Sequence, residues 1–152
     1  VASGESSFLR RVVRGGRRLY ADLVHVPDQF VGWRRPARRA GRAICTGWRP
    51  DVILASGTPW TGFLVAADLS RELGVPWIAD LRDPWYGNPT VSYSRWRQWL
   101  LDRPMERRTL RSSAAMVTVS EPIAERLRQR LPDVPVTVVL NGRTVIADQT
   151  IP

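Results

Sequence analysis

The chain has 152 residues, 43% of them hydrophobic and 24% charged, which suits one globular domain with its own core and leaves no room for a second. Its longest apolar stretches, such as Val52 to Ala55 and Phe63 to Ala67, fall far short of the roughly 20 residues that cross a bilayer. The net charge of +9 is carried by 23 arginines without a lysine, excluding Schiff-base chemistry and a P-loop lysine, while one cysteine (Cys45) and one histidine (His25) exclude an internal disulfide, a multi-thiolate zinc site and a His-rich metal centre.

The first residues, Val1 to Ser7, are small and polar, with an acid at Glu5. They lack the charged-then-apolar order of a secretory signal. With no initiator Met and no opening strand, the chain is expected to be a piece of a longer protein. A lone cysteine points to a reducing cytoplasm.

Residues 1–50 read as a basic amphipathic helical region. Up to Arg49, 11 arginines face three acids, Glu5, Asp22 and Asp28. Arg10, Arg11, Arg14, Arg17 and Arg18 share one helical face, and Arg34, Arg35, Arg38, Arg39 and Arg42 another. Phe8, Leu9, Val12 and Val13 accompany the first set; Trp33, Ala37, Ile44 and Trp48 accompany the second. Such segments suit an anionic membrane surface. In a chain so biased toward arginine they also suit plain solvated faces, and Gly15 and Gly16 interrupt the first. His25 reads as a hydrogen-bonded structural histidine.

From Asp51 onward, short β-branched runs alternate with amphipathic stretches. The strands are Val52 to Ala55, Trp77 to Asp80, Ala115 to Val119 and Val136 to Leu140. The helices are Thr61 to Leu73, closed by Gly74 and Pro76, then Arg95 to Arg111, then Ser120 to Leu131, with Ser120 at the cap and Pro132 beyond the end. This pattern predicts an α/β fold over residues 51–142: a Rossmann-like parallel sheet flanked by helices, doubly wound through right-handed crossovers. Residues 143–152 form an atypical tail.

In such a layer, ligands bind beyond the carboxyl ends of the strands, so four loops carry the candidate chemistry. After the second strand comes Leu81-Arg82-Asp83-Pro84-Trp85. Asp80 or Asp83 there can act as a general base, with Arg82 tuning a carboxylate or holding an anion; the plain alternative is an Asp-Arg pair that ties down the loop. Ser56, Gly57 and Thr58 can offer hydroxyls and backbone N–H groups to a sugar or phosphate, or need glycine for conformation only. Ser120 is a helix cap or a cleft hydroxyl, and Asn141-Gly142 a turn or a cleft edge. No GxGxxG fingerprint, nucleophile elbow or zinc signature is present.

Taken in order, these segments resemble the acceptor-binding N-terminal domain of glycosyltransferase family 4, half of a GT-B fold. The likeness runs from Arg49-Pro50-Asp51-Val52-Ile53 into the Ser56 loop. It continues through Gly74 to Trp85, Glu106-Arg107-Arg108, the Ala115 strand with Ser120-Glu121, and Val139-Leu140-Asn141-Gly142. Pro27 to Trp33 also matches the segment before the family's amphipathic helix, so the likeness covers roughly residues 27 to 142. It implies a metal-independent hexosyltransferase with no cofactor, whose nucleotide-sugar co-substrate is bound mainly by a separate donor domain. Asp83 and Asp80 are then the catalytic candidates, and Arg82, Ser56, Gly57, Thr58, Ser120, Asn141 and Gly142 the substrate-binding ones.

The acceptor implied is a sugar or lipid-linked acceptor of cell-envelope polysaccharide or glycolipid synthesis. The expected location is the cytoplasm, with peripheral attachment to the inner face of the membrane as the option the basic helices open. No specific nucleic acid is expected as a partner. The family's Gly-rich opening loop is expected upstream of Val1 and its Glu-x7-Glu donor domain after Gly142. Where relatives continue after Asn-Gly with an aromatic or aliphatic residue and Asp, this chain reads Arg143-Thr144-Val145-Ile146. That departure points to a truncated or frame-shifted gene or a partial assembly, inactive without its donor domain. Two rival readings stand beside this one. The first is a basic nucleic-acid or anionic-surface binding module, from the arginines around Trp33 and Trp48; the second is a non-catalytic remnant that binds a partner through an exposed sheet edge.

Overall fold

The computed structural model describes residues 15–16, 19–20, 22–90 and 93–142. The arginines of the first basic set (Arg10, Arg11, Arg14, Arg17 and Arg18) and the tail lie outside the described residues. A 3-10 turn, Val31–Trp33, leads into helix α1 (Arg34–Ile44), and the α/β core follows. Its elements are β1 (Ile53–Gly57), α2 (Thr61–Leu73), β2 (Trp77–Leu81), α3 (Arg95–Arg97), α4 (Arg103–Leu110), β3 (Ala115–Thr118), α5 (Glu121–Arg130) and β4 (Val136–Val138).

Helix α2 has the expected bounds. Gly74 closes it with φ of 64°, the left-handed conformation that glycine adopts without a Cβ penalty. The single helix expected over Arg95 to Arg111 is composite, because a π-helical turn, Gln98–Asp102, separates α3 from α4. The inserted residue shifts the side-chain register at that turn. Strand β4 is shorter than expected; Val139 still donates its N–H to the Thr118 carbonyl at 2.8 Å, but pairing ends there.

The sheet is parallel throughout, in the order β1-β2-β3-β4. Its register aligns Ile53, Trp77 and Ala55, Ala79, Met116, Val136 on one face, and Leu54, Ile78, Ala115 and Ser56, Asp80, Val117, Thr137 on the other. The first face meets Phe63 and Ala66 of α2, Leu110 of α4 and Leu127 of α5 in one core. Successive strands added in one direction, joined by right-handed crossovers, send every connecting helix to the same side. The doubly wound covering expected from the strand and helix alternation is therefore realised on one face among the described residues. On the other, Leu54 is 67% exposed, an unusual position for a parallel strand residue.

Helix α1 lies on the outer side of α2. Arg34 pairs with Asp68, and Arg38 and Arg42 reach Glu72. The spacing of four along α1 sets these three arginines above one another on one face. The basic face read from the sequence is thereby divided: Arg34, Arg38 and Arg42 dock the helix, and Arg35 and Arg39 remain exposed.

Candidate functional site

The carboxyl ends of the strands form a cleft of about 280 Å³, lined by Leu54, Asp80, Arg82, Val117, Asn141 and Gly142 among others. Strand alternation builds it: Ala79 and Leu81 turn into the core, so Asp80 and Arg82 turn to the open face. Ser56 is the β1 residue paired with Asp80, and its Oγ donates to Asp80 Oδ2 at 2.8 Å. Asn141 and Gly142 arrive from the end of β4. Five of the nine site residues expected from the sequence are thus brought together: Asp80, Arg82, Asn141 and Gly142 in the lining, and Ser56 through its hydrogen bond.

The other four stand elsewhere. Asp83 is exposed on the loop and does not line the cleft. Gly57 points into the core, where a Cβ would lie 2.6 Å from Phe63 Cζ and 3.0 Å from Trp60 Cε3; the packing of these rings calls for the glycine. Thr58 is exposed on the following loop. Ser120 occupies the cap position of α5 with extended backbone, its carbonyl accepting the Ala124 N–H at 3.1 Å, but its side chain makes no capping bond.

The loop after β2 is held from below. Trp85 is buried and stacks on Trp60 at 5.9 Å between centroids and 10° between planes, with Phe63 6.2 Å away. The Pro-Trp that ends the Asp-Leu-Arg-Asp motif is therefore an anchor, and the loop's polar residues project from it.

Beside the loop lies a buried polar cluster that the sequence reading missed. Asp28 caps α2 from 33 residues away, accepting the Thr61 N–H at 2.9 Å and the Thr61 Oγ1–H at 2.7 Å. Arg97, 0% exposed, donates to the carbonyls of His25 and Pro27 at 2.7 and 2.6 Å and faces Asp102 at 3.4 Å. Burial pushes the Asp102 carboxyl up to about 6; the Arg97 charge opposes that rise, and Asp22 and Asp28 add to it. His25 contributes its backbone carbonyl to Arg97, and its ring meets Tyr20 edge-on at 6.3 Å; among the described residues the ring has no hydrogen-bond partner. Nothing in local sequence marks such long-range partners. The available signal was an arginine and two aspartates in otherwise apolar or turn-forming surroundings.

On the outer side of α2, burial alone would raise the Asp68 carboxyl, but the paired Arg34 and Arg71 guanidiniums hold it below its ordinary value. Among the described residues, no three His, Cys, Asp or Glu side chains converge as a metal site would require. No described helix is long and apolar enough to cross a membrane.

The cleft therefore joins a carboxylate, a hydroxyl and a guanidinium beside an apolar wall. A carboxylate so placed can take a proton from a ligand hydroxyl, and the guanidinium can hold an anionic group. A search of curated proteins finds no match. The family model of the glycosyl transferase 4-like domain matches residues 1–142, which takes in α1, the whole sheet and every residue of the cleft. It reaches further toward the N-terminus than the likeness over residues 27 to 142. The chain belongs to the glycosyl transferase 4-like domain family.

Proposed function

We propose that the cleft at the carboxyl ends of the strands receives the acceptor in a sugar transfer from a nucleotide-sugar donor, the donor being held mainly by a second, donor-binding domain. Family membership ties the chain to glycosyl transfer in general. The observation that carries the finer reading is Asp80, hydrogen-bonded by Ser56 and sharing one cleft with Arg82 and Asn141. In the transfer, an acceptor oxygen bonds to the anomeric carbon and loses its proton, while the bond from that carbon to the donor's diphosphate oxygen breaks. Asp80 is the group assigned to take the proton. Asp83, on the exposed loop, is the second candidate. Arg82 supplies the cation for the diphosphate or for a phosphate on the acceptor.

Following the resemblance, the transferred group is a hexose, no metal takes part, and the acceptor is a cell-envelope polysaccharide or a lipid-linked sugar. Attachment at an anionic membrane surface is supported by Arg35 and Arg39 beside Trp33, Ile44 and Trp48, all exposed.

Chemical-shift mapping of the chain with mono- and disaccharides, and with polyprenyl-phosphate-linked sugars in micelles, tests this reading. It predicts perturbed amides at Asp80, Arg82 and Asn141, and at least tenfold weaker binding for Asp80→Asn. Binding that leaves these amides unmoved, or that is indifferent to Asp80→Asn, refutes it.

A further inference from the structure

A second concavity lies away from the strand ends, on the helical layer between α4 and α5. It is a groove of about 560 Å³, within the range that small-molecule sites occupy. Arg103 and Arg107, one turn apart on α4, and Arg130 at the end of α5 line it. Its one acid is Glu106, 1% exposed, which is already engaged: one oxygen pairs with Arg130 and the other accepts the Tyr86 N–H at 3.2 Å. Arg103 and Arg107 have no ion-pair partner among the described residues. One carboxylate therefore serves three guanidiniums.

The excess charge is felt within the groove. Burial, then the charge of Arg103, pulls the Arg130 guanidinium below its ordinary affinity for protons. The Tyr86 ring is placed against the same two cations, 4.8 Å from Arg130 and 6.0 Å from Arg103, where its negative face offers partial relief. A bound anion would complete that relief.

The other wall is apolar. Trp99 is 60% exposed and Leu100 53% exposed, both on the π-helical turn and both lining the groove. A regular helix through this region would carry a different set of side chains toward α5, and such turns recur at functional sites.

We infer that this groove is a binding site for a phosphorylated ligand with an apolar or aromatic body, the phosphate held by Arg103, Arg107 and Arg130 and the body laid on Trp99 and Leu100. Guanidiniums suit phosphate because each presents paired N–H donors to its oxygens. The inference does not depend on the glycosyl-transfer reading, since its residues are separate from Asp80 and Arg82 and its test reads binding alone.

The test is calorimetric titration of the chain with inorganic pyrophosphate, and flotation with phosphatidylglycerol vesicles against phosphatidylcholine vesicles. Both are run on the natural chain, on the double variant Arg103→Gln/Arg107→Gln, and on Arg126→Gln, an exposed arginine of α5 outside the groove. Melting temperatures confirm that each variant is folded. Pyrophosphate binding that weakens at least tenfold in the double variant and is retained in Arg126→Gln identifies a soluble phosphate ligand. Vesicle binding alone, with the same pattern, identifies a lipid headgroup. Binding that the double variant leaves unchanged, equal losses in both variants, or no binding to either probe overturns the inference.

Discussion

Gly57 offers the sharpest separation between a residue that touches ligand and one that packing requires. Replacing it with Ala places a Cβ 2.6 Å from Phe63 Cζ, 2.7 Å from Phe63 Cε2 and 3.0 Å from Trp60 Cε3, where carbon atoms ordinarily sit about 3.5–4.0 Å apart. Relief needs ring movements of about 1 Å, and interiors packed to crystal density have little such slack. Phe63 is wholly buried and touches Trp60, Trp77 and Trp85, with centroids 6.1 to 6.2 Å away. On the other side, β1 is fixed by its register with β2. Overpacking of this kind costs about 1–3 kcal/mol, and the reduced freedom of the unfolded chain returns about 0.4–1 kcal/mol, so the middle of both ranges gives an expected net loss of about 1.3 kcal/mol. Denaturant unfolding followed by tryptophan fluorescence should show a lower midpoint with an unchanged slope. Combining Gly57→Ala with Phe63→Leu, which removes the clashing ring atoms, should recover part of the loss relative to Phe63→Leu alone. A single variant within about 0.5 kcal/mol of the natural chain, the scatter of an ordinary surface change, would refute the packing argument and return Gly57 to the ligand side.

Two further perturbations probe the buried charges. The Asp102 carboxyl is raised from 3.8 to about 6 in the fold, so its contribution to stability is fully present below 3.8 and is lost as pH rises through about 6. Between pH 5 and pH 7 the natural chain should lose about 1 kcal/mol more than Asp102→Asn; parallel pH profiles of unfolding free energy for the two would contradict the assigned burial. At the α1–α2 contact, Arg34 donates from Nε at 2.8 Å and Nη2 at 2.9 Å to a buried Asp68. Arg34→Ala should destabilise by about 1–3 kcal/mol, and Arg34→Lys should recover less than half, having no paired donors. Because the Asp68 carboxyl is held low, the advantage of the natural chain should be full above pH 3.8 and shrink as pH falls further; an advantage that persists undiminished under acid would count against the pairing.

What the sequence made legible is what depends on neighbours along the chain. The run Thr61 to Leu73, with Gly74 and Pro76 behind it, carries its own periodicity and stop signal, and the helix keeps those bounds. The strands after Pro76 and before Ser120 were visible in the same way, to within a residue or two at each end. Less visible was the π-helical turn at Gln98–Asp102, because the apolar pattern Trp96, Trp99, Leu100 looks helical and only tertiary packing shows that these side chains face outward. The Asp28 cap and the Arg97 cluster were invisible for a stronger reason, since their partners lie 33 to 72 residues away. For the Ser56-Gly57-Thr58 loop the sequence left two readings open, ligand contact and conformational need, and the fold divides them by residue: alternation sends Ser56 to Asp80 and Gly57 beneath Phe63.

That alternation makes the site and the core a single structural fact. Trp77, Ala79 and Leu81 are buried because they face the helices, and by the same pleat Ile78, Asp80 and Arg82 face away from them. Slipping β2 by one residue would bury the carboxylate and expose Trp77 and Leu81, at a cost of several large apolar side chains returned to water, each worth about 1.5–3 kcal/mol. The motif's two halves secure the arrangement from both ends: strand residues buried under α2 and α4 set which way Asp80 points, and Trp85, stacked on Trp60, sets where the loop after it goes. Just past the end of β2, Arg82 lines the cleft, while Asp83, one residue further along the exposed loop, does not. Within the cleft, Asp80 is fixed by the register of β1 with β2 and by the hydrogen bond from Ser56. A ligand bound there should therefore show its strongest coupling to stability through the Ser56–Asp80 pair.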